Sequence, residues 1–158
     1  MYNNRLQLTT LQATKELAAC LALHIQCGDI IALTGDLGAG KTTLTAMILG
    51  EWGVEGVTSP TFNLLHSYTT KSFIVHHLDL YRLEHIEEVY RLGWDELCDD
   101  SSVVIVEWMG KFADLFPKDF LQLTMYYTAT GREVEVSSLG YRSLKLHEEL
   151  IRCASTGN

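Results

Sequence analysis

The chain has 158 residues, with 12 Lys and Arg against 20 Asp and Glu, a formal charge of −8. That length suits one domain with its own core, and 47% apolar with 20% charged residues excludes disordered, collagenous and coiled-coil chains. No stretch approaches the roughly 18 consecutive apolar residues of a membrane span, and MYNNRLQLTTLQ lacks a signal pattern, so a cytoplasmic protein is expected. The acidic balance argues against coating nucleic acid unaided but leaves a protein partner open.

In chain order, the first predicted element is a helix from about Thr10 to Leu23, with Leu11, Leu17, Ala18, Leu21 and Ile25 on one face. Thr9 and Gln12 suggest a capping box, and Gly28 stops the helix. Ile30–Thr34 is an apolar run between glycines, the pattern of a strand buried on both faces. A helix follows from Lys41 to about Trp52. Thr61–Tyr68 and Ser72–Asp79 flank a short polar break and predict an antiparallel hairpin. A short helix over His85–Arg91 closes at Gly93, with room for a further turn at Trp94–Cys98. Val103–Val106, ended by Glu107, is a second fully apolar strand. Phe120–Tyr127 and Glu133–Ser137 predict a second hairpin around Thr128–Gly131, and a helix over about Ser143–Ile151 precedes a possible loose tail beyond residue 150. Alternating helices and buried strands place the whole chain, 1–158, in one α/β domain, a mainly parallel central sheet flanked by helices, with antiparallel hairpins. Cys20, Cys27, Cys98 and Cys153 have neither C-x-x-C nor zinc-finger spacing and read as unpaired small hydrophobes.

Gly35-Asp36-Leu37-Gly38-Ala39-Gly40-Lys41-Thr42 satisfies G-x-x-x-x-G-K-[ST], the phosphate-binding P-loop, at every fixed position, between a buried strand and a helix, which makes the α/β domain P-loop NTPase-like. The glycines let successive backbone N–H groups turn inward around a phosphate, and the helix N-terminus adds its positive dipole end. Lys41 reaches the β- and γ-phosphates, and Thr42 offers its hydroxyl to Mg²⁺. With glycine at about 7% of residues, a chance match in this length is roughly a one-in-two-hundred event.

Such a site also needs an acid at the end of a neighbouring buried strand. Glu107 and Asp79 both qualify; Glu107 is favoured because its strand is the more apolar and better suited to lie beside the P-loop strand. Alternation puts His77 and Asp79 on one face and His76 on the other. Ser59 and Thr61, beside Pro60, lie where a loop can return over the γ-phosphate, although plain turn chemistry explains them equally well. His66, His76, His77 and His85 lack metal-site spacing and read as ordinary polar positions. Arg132, after Gly131, is either a surface charge or an arginine that approaches the nucleotide.

With these residues in hand the chain resembles the TsaE (YjeE) family. The match runs through Gly35–Thr43, Val57 to Ser59-Pro60-Thr61-Phe62, His77-Leu78-Asp79-Leu80-Tyr81-Arg82-Leu83, Val106-Glu107-Trp108 and Gly131-Arg132, spaced as in the family from about residue 9 to 140. It departs at Met109-Gly110-Lys111, where the family commonly has proline and a polar or acidic residue. The resemblance implies a weak Mg²⁺-dependent ATPase that takes ATP to ADP. Its role would be in placing threonylcarbamoyl on adenosine 37 of transfer RNAs reading codons that begin with A. It implies that Thr42 and Glu107 hold Mg²⁺, and that Asp36, Leu37, Gly38, Ala39, Gly40, Lys41, Thr42 and Thr43 bind the phosphates. Thr61 would belong to a switch-like segment, Asp79 would serve hydrolysis, and Trp108 and Arg132 would meet the nucleotide. The implied partner is the TsaB–TsaD pair, with transfer RNA met only through that complex.

Three other readings compete. A small-molecule P-loop kinase would normally carry a paired-arginine lid, whereas Arg5, Arg82, Arg91, Arg132, Arg142 and Arg152 are scattered. A GTPase would carry an [NT]-K-x-D tetrapeptide, which is absent. A module that keeps nucleotide as a structural ligand shares the same P-loop, and loss of turnover but not ADP binding on Asp79→Ala separates it from an ATPase.

Overall fold

The structure is a computed structural model and describes residues 2–156. Its strands are β1 (Tyr2–Leu8), β2 (Ile30–Gly35), β3 (Leu65–Thr69), β4 (Ile74–Asp79), β5 (Ser102–Glu107), β6 (Phe120–Thr128) and β7 (Gly131–Leu139). The helices are α1 (Leu11–His24), α2 (Lys41–Glu51), α3 (Ile86–Arg91), α4 (Trp94–Leu97) and α5 (Tyr141–Thr156), with 3-10 turns at Met109–Lys111 and Ala113–Leu115.

All seven strands form one sheet in the order β1-β7-β6-β2-β5-β4-β3. The centre is parallel, β6 and β5 flanking β2 and β4 following β5, while both predicted hairpins, β3–β4 and β6–β7, are antiparallel. The two apolar runs therefore sit side by side, buried on both faces. From β2, Ile31 and Leu33 face a core made with α1, α2 and α5; Ile30 and Ala32 face a second core with Leu80, Val89, Trp94 and Met109. β5 divides the same way, Val103 and Ile105 to the first core, Val104 and Val106 to the second. Each fully buried side chain of this kind contributes about 1.5–3 kcal/mol of transfer free energy, so the P-loop strand is held from both sides.

Several expectations are corrected. β1, not foreseen, pairs antiparallel with β7 at the sheet edge. The cap of α1 is Thr10, whose hydroxyl accepts from Ala13 N at 3.0 Å, rather than a Thr9–Gln12 box. Leu11 is exposed, because the buried stripe begins only at Leu17. α5 continues to Thr156, through the stretch beyond about residue 150 that the sequence left open as a possible loose tail. The cysteines are not all unpaired: Cys20 on α1 and Cys153 on α5 are joined in a disulfide, with Cα atoms 6.5 Å apart, leaving Cys27 and Cys98 free. Packing of α1 on α5 brings together residues 133 positions apart, which no local spacing could reveal. The opposite end of α5 is also tied down, since Arg142 spans Asp29 and His24 O at 2.6–3.0 Å.

Candidate functional site

The site lies at the C-terminal ends of β2, β5 and β4, where the sheet hands over to loops. β2 leaves through Gly35 at φ +133°, where a Cβ would run into the Met125 carbonyl of β6. Gly40, at φ +108°, is the N-cap of α2, and no side chain caps that helix end. Its first N–H groups stay open to an anion. Lys41 folds back over the loop, its Nζ donating to Gly35 O at 2.7 Å and Asp36 O at 2.9 Å. The same ammonium lies 4.8 Å from the centroid of Trp108. Burial lowers its pKa, against the opposing pull of Glu107, Asp79 and Asp36.

The acidic wall follows from sheet register. Glu107 stands opposite Leu33 of the P-loop strand on one side and opposite Asp79 on the other. Both carboxylates are nearly enclosed, 2% and 6% exposed. Thr42 Oγ1 donates to Glu107 Oε1 at 3.4 Å. Asp79 is held at both oxygens: Thr61 Oγ1 donates to Oδ2 at 2.9 Å and Tyr81 N to Oδ1 at 3.0 Å. Ser59 and Thr61 share a hydrogen bond of 2.5 Å, so the loop around Pro60 returns onto Asp79. Together these groups line an open cleft of about 200 Å³.

The rim is aromatic and cationic. Trp108 sits in the left-handed region at φ 64°, its ring 5.0 Å from that of Tyr81. Arg132 Nε donates to Ala39 O at 3.2 Å, and its guanidinium lies 4.1 Å over Tyr127. Asp36, Leu37 and Gly38 are exposed along the loop and Thr43 is exposed on α2, whereas Ala39 is buried in the core and can offer a ligand only its backbone.

Three contributors carry no marked role in the motifs. Tyr127 pairs with Arg132 across β6–β7, and its hydroxyl donates to Leu37 O at 3.5 Å; the hairpin register is the signal that points to it. His77 is fully buried, with Nε2 3.6 Å from Glu107 Oε2 and neither ring nitrogen hydrogen-bonded. Lys111, in the segment that departs from the family pattern, donates to Tyr81 O and Leu83 O at 2.6 Å each and ties that segment to the one following Asp79.

Residues 8–134 match the family model described as Threonylcarbamoyl adenosine biosynthesis protein TsaE. The chain belongs to the TsaE family. A TsaE protein of Bacillus subtilis is 34% identical over 93% of both chains, and one of Rickettsia felis is 43% identical over 72% of this chain and 67% of its own. Both are named tRNA threonylcarbamoyladenosine biosynthesis proteins. In three dimensions the chain is similar to the crystal structure of Bacillus subtilis YdiB, with a TM-score of 0.73, 28% identity and coverage of 96% of this chain and 94% of that one. TsaE proteins are P-loop, nucleotide-binding members of the transfer RNA threonylcarbamoyladenosine pathway, in keeping with the loop and helix end described above. No helix among the described residues is long and apolar enough to cross a membrane.

Proposed function

We propose that the chain is a Mg²⁺-dependent ATPase that acts on a TsaB–TsaD pair during threonylcarbamoyl modification of transfer RNA, meeting the RNA only through that complex. The observation that carries the hydrolytic part is the conjunction of Lys41 and Thr42 with Glu107 and a hydrogen-bonded Asp79 around one cleft. The donor set fits the metal. Thr42 and Glu107 offer adjacent hard oxygens, and Mg²⁺ takes one or two such protein ligands, leaving its other positions to phosphate and water. When bound, Mg²⁺ neutralises charge on the β- and γ-phosphate oxygens.

The loop N–H groups and the end of α2 bind the phosphates, and Lys41 exchanges its two carbonyl contacts for phosphate oxygens. Asp79 accepts the proton of, or orients, the attacking water, since its two hydrogen bonds fix the direction of its remaining lone pairs. Thr61, on the returning loop, links that carboxylate to the presence of a γ-phosphate. Arg132, bonded to Ala39 O and Gly131 O and stacked over Tyr127, would have to give up these contacts to meet the nucleotide, and Trp108 bounds the site beside Lys41.

The partner claim is tested by sedimentation of the purified chain with TsaB–TsaD in ATP, together with phosphate release from the mixture. Association in ATP and faster release than from the chain alone is the expected result. Release unchanged by TsaB–TsaD, with no co-sedimentation, would remove the partner from the account.

A further inference from the structure

Outside the nucleotide site, one group of metal-ligating side chains comes together among the described residues: Cys20, His24 and Cys153, whose sulfur and imidazole donor atoms all lie within 4.8 Å of one another. Cys20 and His24 are one turn apart on α1, and Glu149 and Cys153 are one turn apart on α5. Residues at i and i+4 share a helix face, so the packed helices turn Cys20, His24 and Cys153 toward one place. The helices run antiparallel there: Cys20 is bonded to Cys153, and His24 Nε2 lies 3.9 Å from Glu149 Oε2.

We propose that, once the disulfide is reduced, Cys20, His24 and Cys153 bind a thiophilic divalent cation, Zn²⁺, as its three protein ligands. A disulfide alone gives no reason for an imidazole to stand within 4.8 Å of both its sulfurs. Two sulfurs and one imidazole supply three of the four ligands of a tetrahedral zinc site, with bonds of about 2.3 Å to sulfur and about 2.0–2.1 Å to nitrogen, and leave the fourth position to water. Cα atoms 6.5 Å apart lie near the wide end of the disulfide range, about 4.4–6.8 Å, so the sulfurs can part around a metal by side-chain rotation. Charge also balances. Two thiolates neutralise Zn²⁺, and Glu149 stays paired with Arg152, which donates to both its oxygens at 2.8 Å. Cys20 is buried while His24 and Cys153 are half-buried, so the ion has a path in from solvent.

The chemistry is simple. A dithiol reductant gives two electrons and two protons to the Cys20–Cys153 bond and becomes a disulfide itself. Zn²⁺ then displaces both thiol protons to solvent, leaving two Zn–S bonds. The other cysteines offer no comparable site, since Cys27 is exposed and stands alone, and burial raises the Cys98 thiol to about 12.

The test uses the full chain, reduced and freed of metal, in a Cys27→Ser background. Zn²⁺ is titrated against a chromophoric chelator, and Co²⁺ is added as a spectroscopic substitute. Expected are one tight Zn²⁺ per chain, a thiolate-to-cobalt charge-transfer band with tetrahedral visible bands, and a higher melting temperature with Zn²⁺. The Cys20→Ser/Cys153→Ser variant loses the band and the tight site. Even a partner behind a metal ligand is worth about tenfold in affinity, so His24→Ala must weaken binding by at least that factor. Two results would overturn the proposal: a disulfide that stays closed under native reduction, or a cobalt spectrum without sulfur ligation. Since the spectrum is read on an unaltered site, it decides even if a variant folds poorly.

Discussion

Replacing Asp79 by Asn separates geometry from charge at the site. In the parent, Oδ1 accepts from Tyr81 N at 3.0 Å and Oδ2 from Thr61 Oγ1 at 2.9 Å. An asparagine keeps the first bond, and its amide nitrogen donates to the Thr61 oxygen in place of the second. What goes is the negative charge and the ability to take a proton from water. A positioned general base contributes about 10²–10⁴ in rate, so turnover at saturating ATP should fall by that factor, about 2.7–5.4 kcal/mol at 1.36 kcal/mol per decade. ADP affinity should stay within about threefold, because the groups proposed to bind the phosphates lie in the loop between β2 and α2 and at the start of α2. Folding should suffer less than activity, since a hydrogen bond to a charged group is worth about 1.5–3 kcal/mol and both bonds keep a neutral counterpart. The assay pairs steady-state phosphate release with calorimetric ADP titration. Turnover within threefold of the parent would refute the assignment of Asp79 to the hydrolytic step.

Glu107→Gln should raise the Mg²⁺ concentration for half-maximal phosphate release by about tenfold, a loss of roughly 1.4 kcal/mol, while Mg²⁺-free ADP binding changes little; a magnesium titration at fixed ATP reads this. Gly35→Ala places a Cβ against the Met125 carbonyl at a left-handed φ, so thermal melts should show about 2–4 kcal/mol of destabilisation. His147 is buried between Ser138 Oγ and Asn4 Oδ1, and its pKa is lowered from 6.5 by that burial, against a weaker raising pull from Glu148. A histidine whose folded pKa is depressed binds fewer protons than the unfolded chain, so stability is full above pH 6.5 and falls as pH drops below it. His76, lowered chiefly by burial, adds to the same slope. Denaturant midpoints at stepped pH should show a shallower acid slope for His147→Gln than for the parent; equal slopes would dismiss the assignment.

The P-loop was legible because it is local: its eight residues carry their own turn, helix start and lysine. The two strand-end acids were legible as well, since four apolar residues before Glu107 mark a doubly buried strand beside β2. That Asp79 stands in register with Glu107 is a property of strand order, β2-β5-β4, which periodicity does not encode. β1 escaped notice because Asn3, Asn4 and Arg5 are poor or neutral strand residues; antiparallel pairing with β7 and the ion pairs of Arg5 with Glu133 and Glu135 supply what propensity lacks. The Cys20–Cys153 contact likewise depends on how α5 packs, and α5 outruns its expected end at about Ile151 because Cys153, bonded to Cys20, packs against the core there.

The central claim, that this cleft hydrolyses ATP with Mg²⁺, is tested most directly by phosphate release from the purified chain, measured with Mg²⁺, with chelator, and with Lys41→Ala. Slow release that requires Mg²⁺ and disappears in the variant is the predicted result. Release that persists in Lys41→Ala, or no release from a chain that binds ADP at its P-loop, would contradict it.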